Sequence, residues 1–170
     1  VNSSTKATST GGDPSTSSFS NFYGGSLNFD GSGDYLDVTE SDNAFDFGTG
    51  DYTVECDLYL NNECDIFGTG NNTSYLGSGQ SGWVLRRFAT QYKWGYQSSN
   101  SWHFEQPFND AGDKSRWIHV AVVRRGGVVR IFSDGVKIGS DFSSNHNLLS
   151  TSGYLRIGGG YGSTGLLANG

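Results

Sequence analysis

From Tyr52 to Leu60 the chain alternates without a break: Tyr52, Val54, Cys56, Leu58 and Leu60 fall on one side of an extended strand, while Glu55 and Asp57 fall on the other with Thr53. A sustained period of two is the pattern of a half-buried β-strand and is incompatible with the 3.6-residue turn of a helix. Similar runs recur at 26–30, 34–39, 64–68, 82–88, 91–97, 101–105, 116–125, 127–133, 136–140 and 153–158, and no segment carries a convincing helical period. The spacing predicts an all-β, antiparallel fold. Turn chemistry agrees with it: Asp134-Gly135 and Gly126-Gly127 lie between strand runs, where a two-residue hairpin needs positive φ at both positions.

Glycine occupies 26 positions, about twice the usual ~7%, whereas proline appears twice and no strict glycine period exists, which excludes collagen. A chain of 170 residues is long enough for one domain with a real core. No apolar run approaches the ~18 residues of a membrane span, and the polar Ser/Thr start carries no signal-peptide pattern. A chain that begins at Val1 and contains no Met is expected to be a processed product or a fragment.

The net charge of −6 disfavours a nucleic-acid partner, whose affinity rests on Lys and Arg releasing counterions. Residues 1–85 hold twelve acidic side chains and one basic one, Lys6, while 86–170 hold five acidic and ten basic. Two arrangements would use this split: pairing across interleaved strands, or a dipolar surface on which subunits dock head to tail.

Three segments in order carry a family resemblance: Gly25-Ser26-Leu27-Asn28-Phe29-Asp30-Gly31-Ser32-Gly33-Asp34-Tyr35-Leu36, then Trp117-Ile118-His119-Val120-Ala121-Val122-Val123-Arg124, then Ile131-Phe132-Ser133-Asp134-Gly135-Val136. From about Asp13 onward the chain resembles the laminin-G-like, concanavalin-A-like jelly-roll family. The resemblance implies a two-sheet antiparallel β-sandwich over 25–170, preceded in 1–24 by a Ser/Thr-rich leader or a weak first strand. Relatives close with a further strand after the glycine-rich stretch; the chain stops at Gly170 without it, so the expectation is a sandwich lacking its last strand, which continuing polypeptide or another chain would supply. The same resemblance makes Trp83, Trp117 and His119 packing residues. It also points to phage structural and bacterial surface proteins, hence to a virion or extracellular location.

Sugar recognition needs aromatic faces with polar groups beside them. Tyr92, Trp94 and Tyr96 share one strand face, and Trp102 returns across a polar turn, so these four with Arg86 are the candidate glycan platform; Arg87 lies on the opposite face of its strand from Arg86. The family's calcium sites direct attention to Asp30 and Asp34, and to Asp42, Asp46 and Asp51, as candidate Ca²⁺ ligands, although Asp30-Gly31-Ser32-Gly33-Asp34 is also explained as a tight turn. The family's hydrolases place three carboxylates on one strand; Glu55 and Asp57 are present and the third is absent. His103, His119 and His146 sit near no nucleophile elbow, and no His or Cys pair has zinc spacing. Cys56 reads as a core thiol, and hairpin geometry would set Cys64 opposite Leu58 to Leu60, so that a bridge between the two needs a register slip. Asn2, Asn71 and Asn72 open Asn-x-Ser/Thr triplets, which chance alone explains in a chain this rich in Asn and Ser.

The expectation is therefore a non-enzymatic recognition module binding surface glycans. Its rivals are a structural subunit of a virion or surface assembly, with self-association through the charge-split surface, and a glycan hydrolase using Glu55 and Asp57.

Overall fold

The structure is a computed structural model that describes residues 8–11, 15–17, 25–30, 33–39, 43–61, 63–69, 82–98, 101–104, 108–109, 112, 114–150 and 154–158. The described residues form fourteen strands and no helix: β1 (Thr8–Gly11), β2 (Ser15–Ser17), β3 (Ser26–Asn28), β4 (Tyr35–Thr39), β5 (Tyr52–Tyr59), β6 (Cys64–Thr69), β7 (Gly82–Phe88), β8 (Gln91–Ser98), β9 (Ser101–Phe104), β10 (Phe108–Asn109), β11 (Trp117–Arg125), β12 (Val128–Ser133), β13 (Val136–Ser143) and β14 (Tyr154–Ile157). No helix among them is long and apolar enough to cross a membrane.

Eight strands make one antiparallel sheet in the order β1-β4-β14-β6-β7-β8-β10, with β9 paired to β8; four make the second in the order β13-β12-β11-β5; β2 and β3 pair as a separate ribbon. Alternation then builds the core. Ile118, Val120 and Val122 of β11 and Val129 and Ile131 of β12 meet Trp83 and Leu85 of β7 and Tyr92 and Trp94 of β8, all fully buried. The face of β5 carrying Tyr52, Val54, Cys56 and Leu58 packs on this cluster, as its period requires. The hairpin turns have the backbone their residues suit: φ is 49° at Asp134 and 76° at Gly135, and 58° and 77° at Gly126 and Gly127.

One expectation changes. The hairpin expected to set Cys64 against Leu58 to Leu60 does not form, because β5 and β6 belong to different sheets and Cys64 pairs with Arg87 instead. The chain crosses from one layer to the other between them, through Leu60, which is buried at 1% exposure and bridges to Lys114. Within 1–24, β1 lies along β4 and β2 along β3. The closing strand, like Asn2, Asn71 and Asn72, concerns residues outside those described.

Early acids and late bases meet inside this chain. Asp37 of β4 accepts two bonds of 2.7 Å from Arg156 of β14, and Asp65 of β6 accepts bonds of 2.7 and 3.0 Å from Arg86 of β7. Burial pushes the Asp65 carboxyl above its ordinary value while Arg86 draws it back.

Candidate functional site

The aromatic row expected to meet ligand is core instead. Tyr92, Trp94 and Tyr96 are exposed by 0%, 1% and 8%. The Trp94 ring centroid lies 5.3 Å from that of Trp83 and 5.7 Å from that of Tyr52 across the sandwich. The cause is layer pairing: large rings on β8 fill the space opposite Tyr52 and the small β-branched side chains of β11. Trp83 is core as expected, with its Nε1–H donating to the Phe45 carbonyl at 2.9 Å. Arg86 is committed to Asp65, and the side chain of Trp102 lies outside the described residues. Tyr92, Trp94, Tyr96 and Arg86 therefore do not form the exposed platform expected of them. Only Tyr96 reaches the rim, where its hydroxyl meets His146 Nε2 at 2.7 Å and its ring stacks on those of His146 and His103.

The candidate calcium ligands are occupied as turn acceptors. Asp34, 1% exposed, takes the Asp30 backbone N–H at 2.8 Å; Asp51 takes that of Gly126 at 2.8 Å, and Asp46 that of Ser150. Asp42 lies outside the described residues. Among the described residues no three His, Cys, Asp or Glu side chains gather to hold a metal.

The outer face of the four-stranded sheet has a different character. Because Leu58 and Ile118 point inward, the neighbouring pair Tyr59 and Trp117 points outward, directly opposed across β5 and β11. Their rings stand edge to face, centroids 5.9 Å apart and planes at 66°, and both remain half-buried outside the core cluster. The resemblance placed Trp117 in the core; its odd register relative to Ile118, Val120 and Val122 puts it on the outer face. That parity was readable in the sequence.

The next rung along the same face is Asp57 opposite His119, and beyond it stands Glu55. His119 Nε2 lies 3.7 Å from Glu55 Oε2 on the neighbouring strand, with side chains 40% and 59% exposed. A turn braces the aromatic end: Asp134 accepts the His119 backbone N–H at 2.9 Å and Arg116 Nη1 at 2.6 Å, while its own N–H bonds the His119 carbonyl at 2.8 Å. The Arg116 hydrogen bond, then that of His119, holds the Asp134 carboxyl below its ordinary value. Ser115 N–H bonds the Leu60 carbonyl at 2.8 Å and ties this corner to the end of β5. The arrangement offers apolar ring surface with carboxylate and imidazole groups on one outer sheet face. Glu55 and Asp57 share that face, and β5 supplies no third carboxylate.

The sequence profile described as the concanavalin A-like lectin/glucanases superfamily matches residues 30–169. The chain belongs to this superfamily. Solved structures with the same jelly-roll fold include domain 4 of AbnA, a GH43 extracellular arabinanase from Geobacillus stearothermophilus, in complex with arabinotriose, at TM-score 0.67 and 13% identity over 94% of this chain and 72% of that one. The binding domain of botulinum neurotoxin DC in complex with SialylT is similar at TM-score 0.61 and 13% identity, over 89% of this chain and 38% of that one. A structure on botulinum neurotoxin type C, whose cell entry depends on interaction with two ganglioside molecules, is similar at TM-score 0.62 and 13% identity, covering 89% of this chain and 37% of that one. At these identities the likeness establishes the jelly roll of this superfamily member and nothing finer. Among curated proteins, none matches the sequence.

Proposed function

We propose that this superfamily member is a glycan-binding module of a surface or extracellular protein, acting by recognition without catalysis, and that Tyr59 and Trp117 are its principal contacts. The observation that carries this reading is the edge-to-face ring pair on an open sheet face with Asp57, His119 and Glu55 in line behind it. Ring faces suit the C–H surfaces of a pyranose, and the flanking polar groups suit its hydroxyls. The glycan-bound relatives support the class of ligand. Two of the early acids, Asp37 and Asp65, spend their charge on Arg156 and Arg86 within the chain, as the pairing of interleaved strands would have it. The virion setting draws no support from the relatives named above.

A glycan array probed with wild type, Tyr59→Ala and Trp117→Ala tests the proposal. Specific sugar signals in wild type, lost in both variants while the fold is retained, are expected. Absence of any wild-type signal, or signals indifferent to both substitutions, would overturn it.

A further inference from the structure

Among the described residues, most carboxylates are neutralised by arginine or lysine or accept backbone N–H groups. Asp37 and Asp65 each hold two guanidinium hydrogen bonds, Asp134 holds Arg116, and Asp141 holds Arg130 and Lys137 at 2.7 and 2.6 Å. Asp34, Asp46 and Asp51 accept backbone N–H groups. Glu55 and Asp57 differ: they face solvent on β5, no Lys or Arg stands opposite either across the β5–β11 ladder, and the nearby group is the His119 imidazole. They occupy the two rungs after the Tyr59–Trp117 pair on the same strand face, at ~6.8 Å between same-face neighbours.

A partly buried tryptophan on a sheet's outer face beside two solvent-facing carboxylates is chemistry that receives an alkylammonium: the ring attracts the cation through its face and the carboxylate accepts its N–H bonds. Resting on the glycan reading above, we infer that the sugar taken by this face carries a protonated amine, so that its ligand is an amino-sugar oligomer lying along β5 and β11. The rungs favour an extended chain over a single terminal ring, since Tyr59/Trp117, Asp57/His119 and Glu55 run in one line on an open surface. An acidic sugar would set its own carboxylate against theirs.

Four defined probes test this by calorimetry at low salt: β-1,4-linked glucosamine oligomers, their fully N-acetylated counterparts, oligogalacturonates and, as a sugar-free polycation, poly-lysine. Wild type is expected to bind the free amines about three- to tenfold more tightly than the acetylated chains, the scale of one or two exposed charge contacts, and to bind the uronates least. Raised salt narrows the first gap. The Glu55→Gln/Asp57→Asn variant is isosteric and solvent-facing; it is expected to keep its thermal stability while the preference for amines over acetylated chains collapses. Trp117→Ala abolishes binding of both. Equal or better binding of acetylated or acidic chains by wild type overturns the inference and leaves the glycan reading standing, as does an amine preference that survives the double variant. Binding of poly-lysine with no sugar bound at all overturns both.

Discussion

Arg156 and Asp37 stand opposite one another at a single rung of the β14–β4 ladder, and their side chains close a two-bonded ion pair whose members are 4% and 11% exposed. The Tyr35 ring covers the guanidinium at 3.7 Å, with Tyr154 at 5.7 Å. Removing one partner strands a charge that the fold has already desolvated. Asp37→Ala is expected to cost about 3–5 kcal/mol in urea unfolding, and replacing both residues by leucine to cost less than either single removal. A cost below 1 kcal/mol for Asp37→Ala would contradict the burial of the pair.

Two tryptophans that look alike in the sequence are expected to behave in opposite ways. Trp94→Ala opens a cavity against Trp83 and Tyr52 and is expected to cost about 3–5 kcal/mol of stability. Trp117→Ala removes a half-exposed ring and is expected to cost well under that while abolishing sugar binding. Denaturant melts beside binding titrations separate the two effects.

Much of this division was legible in the parity of the strands. Val54, Cys56 and Leu58 announce their inward face, and the same count from Ile118 sends Trp117 outward. Parity alone could not say which face of β8 was inner, because Lys93, Gly95 and Gln97 alternate with rings that suit a core or a sugar platform equally. Burial by the opposite sheet decided it, and that contact is long-range. Pairings such as Arg156 with Asp37 are invisible to local pattern for the same reason. So is the separation of β5 and β6 into different layers, which a short polar connection disguised as a hairpin.

A pH response is expected from the rim. Burial first, then the charges of His103 and Arg124, lowers the His146 pKa from its ordinary 6.5. The unfolded chain therefore binds a proton more readily than the native one. The contribution of His146 is complete above about pH 6.5 and is lost as pH falls from there through the folded value. Thermal melts between pH 7.5 and 5.5 should show Tm falling with acidity, and His146→Gln should flatten that fall. An unchanged slope in the variant would assign the effect elsewhere.

The thiols are expected to be inert. Burial, then the charges of Asp57 and Glu55, pushes Cys56 up to about 12, and burial raises Cys64 as well. Iodoacetamide at pH 8 should modify neither in the native protein and both once it is unfolded in urea. Rapid native labelling would show that the layers open on the timescale of the reaction.

Although Tyr154–Ile157 comes late in the chain, it sits inside the large sheet, flanked by β4 on one side and β6 on the other. Those two earlier segments therefore acquire their shared neighbour only once the chain has been synthesised through Ile157. Any product shortened ahead of Tyr154 exposes facing edges in the middle of the larger layer, the geometry in which neighbouring copies exchange segments and aggregate.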